Sequence, residues 1–335
     1  MTAVIPERQV RAASRRVPVS RGVVTMLVAL GLLLIVGFML APTSMSKGAL
    51  LGMLPFAAVL AIVGVGQTLV VQQGGIDLSV PGAVSLVVVI CTHMPNGDNA
   101  KLLPAVLVGL AVAAGTGVLN GILVGRFGLN AIVATLGMNA LLYAGVLGVS
   151  GGTPRITTSR LASVAGGLTL GIPNAVYFAI ATVAVTTVAM KRTVAGRRFE
   201  AVGANATAAR ATGLRVTTHQ AGAYIGAQLH YWLAGVLLAG IVSQPTAYQG
   251  DSYLLPSVAA VVLGGTSLLG GRGHLVATAL AALFLSQLEQ FALALGVPYA
   301  VRTLVEAAAL ALGIALYTIN WSGVRRRLPG GAPAT

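Results

Sequence analysis

Residues 50–94 read LLGMLPFAAVLAIVGVGQTLVVQQGGIDLSVPGAVSLVVVICTHM, two apolar runs interrupted once, at Gly74-Gly75-Ile76-Asp77-Leu78-Ser79. The first run, 50–73, is long enough to cross about 30 Å of hydrocarbon as a helix, for which roughly 20 apolar residues suffice. Helix is the expected form because a segment in lipid must satisfy its own backbone polar groups. The interruption has chemistry of its own. Gly74 and Gly75 can take backbone angles closed to other residues, Asp77 or Ser79 can cap the next helix, and Pro81 suits a first helical turn. One reading is a tight turn between helices. The other is a switch element at a cytoplasmic mouth, where Asp77 is costly unless it meets water or a partner.

The same alternation of apolar runs and short breaks continues along the chain. Candidate spans lie near 23–41, 50–73, 79–94, 102–125, 131–149, 174–190, 221–242, 254–269, 275–295 and 301–320. The third and eighth are short and flanked by glycine, which leaves room for broken or re-entrant segments. Composition agrees: 56% of residues are hydrophobic and 8% charged, against about 25% charged in soluble domains. The expected fold is an all-α integral membrane protein of about ten transmembrane helices. It divides into a basic cytoplasmic tail (1–22), a transmembrane domain (23–320) with a long cytoplasmic loop at 191–220, and a second cytoplasmic tail (321–335). The run 23–41 is longer than a signal peptide needs, and Met39-Leu40-Ala41-Pro42 lacks a small-x-small cleavage pattern, so an uncleaved first span is expected.

A formal net charge of +14 resembles a nucleic-acid footprint until the cations are placed. With the N-terminus inside and ten crossings, 16 of the 21 Lys and Arg fall in cytoplasmic segments, chiefly before residue 23, between Lys191 and Arg215, and at Arg325 to Arg327. Lys47, Lys101, Arg155, Arg160 and Arg302 remain outside. That bias follows the positive-inside rule and puts both termini in the cytoplasm. It gives no reason to expect nucleic acid.

Several chemistries are excluded. Cys91 is the sole cysteine, and the four histidines stand in no metal-ligand spacing. A phosphate loop of the form G-x-x-x-x-G-K-S/T requires lysine after glycine, yet Lys47, Lys101 and Lys191 follow Ser, Ala and Met. No serine-hydrolase elbow or HExxH pattern occurs either. No catalytic residue, metal or cofactor is expected in this chain.

The polar residues within spans are Gln67, Asn120, Thr135, Asn139, Gln287 and Glu289. Lipid contact is expensive for each, so they face other helices or an aqueous path, and they are the candidates for a translocation route. Gly117, Gly121 and Gly125, with Gly222 and Gly226, are spaced for close helix packing. Arg302 and Glu306 stand four apart and can pair. In the loop 191–220, AVGANATAARATGL (201–214) favours a short helix ended by Gly213. A weak internal echo links Gly74-Gly75-Ile76-Asp77-Leu78 with Gly264-Gly265-Thr266-Ser267-Leu268, 190 residues later, and hints at duplication.

The segments GGIDLSV (74–80), LNGILVGRFGLNAIVATLGM (119–138), GRRFEAVGANATAARATGL (196–214) and AVVLGGTSLLGGRG (260–273) together resemble the ribose/xylose-type sugar permeases of bacterial ABC importers. The loop GGTP…GIP (151–173) is similar too, and the resemblance runs in order over about residues 50–320. It implies a ten-helix permease subunit of the cytoplasmic (inner) membrane, working as a homodimer or paired permease on a sugar or similar small polar solute. A cytoplasmic ATP-binding-cassette ATPase, holding ATP and Mg, and an extracytoplasmic solute-binding protein would be other chains. By resemblance, Gly203, Asn205, Ala208, Ala209, Arg210 and Gly213 match the segment that meets the ATPase, and Gly74, Gly75, Asp77 and Ser79 match the signature turn. Thr207 stands where the family usually has an acid, Pro81 replaces a usual glycine, and Glu289-Gln290-Phe291 replaces an Asn-Asn-Gly group. A branched-chain amino acid or nucleoside is the alternative cargo. A stand-alone secondary transporter would need Glu289 and Glu306 as its ion-coupling carboxylates.

Overall fold

The structure, a computed structural model, describes residues 21–298, 300–304 and 307–308. Its helices are α1 (Arg21–Leu40), α2 (Lys47–Gln72), α3 (Val80–His93), α4 (Leu102–Gly121), α5 (Ala131–Ser150), α6 (Ser159–Gly166), α7 (Asn174–Arg192), α8 (Val194–Ala204), α9 (Ala206–Ala211), α10 (Val216–Ile241), α11 (Leu254–Leu263) and α12 (Leu275–Ala294). A two-stranded hairpin, β1 (Leu168–Thr169) and β2 (Ile172–Pro173), pairs antiparallel between α6 and α7. Seven of the helical stretches are long and apolar enough to cross a membrane, and the apolar helices Val80–His93 and Asp251–Leu263 are shorter. The all-α membrane architecture is therefore present. Most of the expected span 301–320, and the partner Glu306 of the anticipated pair, lie outside the described residues.

The bundle has two ends. At one, the turn end, α2, α4, α7 and α11 finish, α5, α10 and α12 begin, and α8 and α9 sit; α6 and the hairpin mark the other, the loop end. Core burial falls mainly on α2, α3 and α10, which are apolar around much of their circumference and surrounded by neighbours. α4 lies along α10 through the glycine stripe. A Cβ on Gly117 would meet Ile225 Cα at 2.7 Å, and one on Gly121 would meet Ala221 Cα at 2.8 Å. Small residues at four-residue spacing are what let these backbones approach. Gly222 has nothing within 4 Å and takes no part in that contact.

Two spans are interrupted, and their breaks position the site. α3 has 14 residues, about 21 Å of rise, so the irregular segment 73–79 must supply the rest of the depth. α11 has only 10 residues and runs the opposite way, preceded by the irregular stretch 242–250 and a 3-10 turn at Asp251–Tyr253. The break before α11 packs on the first turns of α3, where Gly250 donates its backbone N–H to Ser85 Oγ at 2.9 Å. Irregular backbone at membrane depth is tolerated where protein buries it. The glycine echo is real but offset by one residue. Gly74 (φ 79°) and Gly265 (φ 83°) close α2 and α11 in the same way, with Gly75 N–H bonded to Val70 O and Thr266 N–H to Val261 O. This is the left-handed glycine cap with its six-to-one bond, so Gly74 corresponds to Gly265, not to Gly264.

Candidate functional site

The break before α3 is held by a fully buried polar node. Ser79 donates its hydroxyl (2.5 Å) and its backbone N–H (2.9 Å) to Asp77 Oδ1. Gln228 on α10 donates from Nε2 to Ser79 Oγ at 2.9 Å and reaches Asp77 Oδ2 at 3.5 Å, while Asn120 on α4 donates to Ser79 Oγ at 3.2 Å. Asp77, Ser79, Asn120 and Gln228 are each 0% exposed. Asp77 is therefore wholly buried, and neither it nor Ser79 caps α3 in the expected manner: Ser79 occupies the cap position, but its hydroxyl bonds Asp77 and no N–H of α3, and Asp77 accepts the N–H of Ser79. Hydrogen bonds are what make such burial tolerable.

Two more of the anticipated path residues serve the same break. Thr135 Oγ1 accepts the N–H of Leu78 at 2.9 Å, and Asn139 Oδ1 accepts that of Gly82 at 2.8 Å. The Gly82 N–H lies in the first turn of α3, where a helix leaves donors without internal partners, and the Leu78 N–H lies in the irregular segment just before it. Thr135→Val and Asn139→Leu should each lower stability by about 1–3 kcal/mol, the usual cost of stranding a buried donor. Thermal unfolding in detergent checks this, and substrate affinity should not change. Gln67 accepts the Tyr231 hydroxyl at 2.8 Å, and buried Gln287 donates to Met45 Sδ at 3.5 Å, so these too are held between helices.

Glu289 is different. It lines a cavity of about 460 Å³ towards the loop end, together with Gln249, Ser252, Tyr253, Ser286 and Gln290. Arg302 Nη1 lies 3.4 Å from Glu289 Oε1. Hydroxyl, amide and carboxylate groups here converge on a space large enough for a small ligand, whose sites typically measure about 300–1,000 Å³.

At the turn end, α8 and α9 form a small unit docked on the bundle. Thr193 caps α8, Asn205 caps α9 by accepting Ala208 N–H at 2.9 Å, and Lys191 pairs with Glu200. Gly203 abuts the last carbonyl of α2, since a Cβ there would stand 2.0 Å from Gln72 O. Gly271, in the second glycine turn, donates its N–H to that same carbonyl at 2.8 Å, and Gln73 Nε2 bonds Phe199 O of α8 at 2.9 Å. Gln72 and Gln73 thus join α8, α2 and the turn 264–273. Burial holds the His274 imidazole below its ordinary range; Lys191 reinforces this, Glu200 opposes it and Arg272 adds to the fall.

The six residues matched to the coupling segment divide by orientation. Gly213 ends α9 with φ 81°, as its sequence context suggests. Ala209 is 4% exposed, packed with Val202 and Val216 in a core of its own. It cannot itself be a contact surface, because its face is already occupied from within the chain. Ala208 and Arg210 point outward. Gln228 was the residue overlooked: it is a polar side chain inside an apolar span, the same signal that marks Gln67.

One interrupted span fastened to α4 and α10 by a buried polar node, a second packed beside it through Gly250, and a short helix pair seated on the glycine turns at Gly74 and Gly265 fit the membrane subunit of a transporter. Residues 49–316 match the family described as branched-chain amino acid transport system / permease component, and the chain belongs to that family, as a membrane-spanning permease subunit of an ABC importer. Among curated relatives, the ribose import permease protein RbsC of Escherichia coli K12 is 33% identical over 295 residues, covering 86% of this chain and 91% of the relative. The probable ABC transporter permease protein y4mJ of Sinorhizobium fredii is 35% identical over 255 residues, 74% of each chain. The autoinducer 2 import system permease protein LsrD of Photorhabdus temperata is 30% identical over 266 residues, covering 76% of this chain and 78% of the relative. No solved structure matches.

Proposed function

We propose that this chain carries a sugar or a similar polyhydroxylated solute across the cytoplasmic membrane by alternating access. Two copies, or this chain and a second permease, would enclose the path, with a cytoplasmic ATP-binding-cassette ATPase supplying energy and an extracytoplasmic binding protein delivering solute. The observation that carries the cargo assignment is the likeness to a ribose import permease along 91% of that relative's length. The polar wall at Gln249, Ser252, Ser286, Glu289 and Gln290 supports it, since hydroxyl-rich ligands need several donors and acceptors. The turn end is read as cytoplasmic because it gathers Arg126, Lys191, Arg192, Arg197, Arg198, Arg210, Arg215 and Arg272. Both termini are then cytoplasmic if the tenth span is completed within 301–320. Through outward-facing residues such as Ala208, the α8–α9 unit meets the ATPase, and the Gly74 and Gly265 turns relay its movement.

A branched-chain amino acid, the cargo in the family's description, is the second reading. Uptake of labelled ribose by cells expressing the chain with its partners, competed in turn by pentoses and by leucine, separates the two. Competition by pentoses alone is expected; competition by leucine alone removes the sugar reading. Glu289→Leu should raise the KM at least about fivefold, as loss of one charge-assisted hydrogen bond would. An unchanged KM would take this cavity out of the path.

A further inference from the structure

Between the α4–α5 connection and the start of α10 lies a polar cavity of about 510 Å³, walled by Gln73, Gly74, Arg126, Arg210, Gln220 and Tyr224 among others. No acidic side chain lines it. Among the described residues neither arginine is in an ion pair, and the half-buried Glu200 at this end is taken by Lys191. No carboxylate within its wall balances the two arginines. Its rim is apolar: Phe127 is 67% exposed and Leu129 46%, at the junction of two membrane-spanning helices. Arginines that can grip an anion above exposed apolar side chains, at the level where spans leave hydrocarbon, present the complement of a phosphodiester headgroup with acyl chains below it.

We propose that this cavity binds the phosphoryl headgroup of an anionic phospholipid from the leaflet at the turn end. The apolar rim favours lipid over an acidic segment of a protein partner, which would have no use for it. The occupant lies against Gln73 and Gly74, the joint between α8 and α2, so the lipid would stiffen the element through which the helix pair acts on the bundle.

The test uses the full chain purified in detergent, offered phosphatidylglycerol and phosphatidylcholine in equal amounts, with retained lipid counted by native mass spectrometry. Phosphatidylglycerol should be retained at least about fivefold over phosphatidylcholine, and Arg126→Gln should cut that ratio about fivefold, each basic residue near a membrane surface contributing about that factor. Arg126 is exposed, so this change leaves the fold intact, and Arg155→Gln at the loop end should leave the ratio as in wild type. Equal retention of the two lipids by wild type, or an undiminished ratio in Arg126→Gln, overturns the proposal. A third arm adds inorganic phosphate. Failure of millimolar phosphate to displace the lipid supports a membrane source, whereas displacement at parity with the lipid concentration assigns the cavity to a small soluble anion and overturns the lipid reading.

Discussion

Replacing Gly203 with alanine should cut solute-stimulated ATP hydrolysis by the assembled transporter at least about tenfold, while the protein still inserts in the membrane. A single methyl suffices because the added Cβ would lie 2.0 Å from Gln72 O, inside any permissible contact. The obstacle is backbone at the end of a 26-residue helix, which cannot turn aside as a flexible side chain would. Either α8 lifts away or the Gly271 N–H bond to the same carbonyl breaks. Overpacking of this kind costs about 1–3 kcal/mol, and about 1.4 kcal/mol corresponds to the tenfold loss. The loss should fall on coupling, since the strained joint is the connection between the helix pair and the bundle. Gly222→Ala is the matched control, having nothing within 4 Å, and should behave as wild type. Wild-type stimulation in Gly203→Ala would show that α8 does not transmit movement through Gln72.

The sequence made the long helices plain, because a run of about 20 apolar residues has few alternatives to a membrane helix. It also exposed the packing stripe at Gly117, Gly121 and Gly125 and the weakness of the third and eighth spans, whose shortness is visible in the chain. What it could not supply was direction. Thr135 and Asn139 were read as candidates for a solute path, yet both accept backbone N–H groups at or just before the start of α3. A polar residue within a span must have a partner, but the sequence does not say whether that partner is water, solute or an unpaired donor on another helix. α2 shows why: it is buried over most of its length, so its apolar residues mark no single face and Gln67 carries no clue to its own orientation. Ala209 was misplaced for a related reason. Small residues suit a surface docked in a groove and a tight internal core equally well, and only the packing of Val202 and Val216 around it decides between them.

Glu289, singled out on burial cost as facing other helices or an aqueous path, stands at a polar cavity, where Arg302 is 3.4 Å away and its side chain is 49% exposed. Asp77 has the opposite setting. It is wholly buried, bonded to Ser79 and within reach of Gln228. Its contacts explain how α4, α10 and the broken span α3 are fastened together. A carboxylate so enclosed cannot itself be the coupling acid of an ion-driven carrier, which must be open to the ion's route.

The central claim is that this chain is the passive, membrane-spanning half of an ATP-driven machine, and the second large effect follows from it. None of Lys47, Lys101 and Lys191 stands in a phosphate loop, and in the function proposed above the energy enters from a partner ATPase by way of the α8–α9 unit. The measurement is uptake of labelled ribose into proteoliposomes holding this chain with and without its ATP-binding-cassette partner, with binding protein and solute outside and ATP and Mg within. Accumulation should require both the partner and ATP, and the chain alone should accumulate nothing under an imposed proton or sodium gradient. Gradient-driven accumulation by the lone chain would contradict the account.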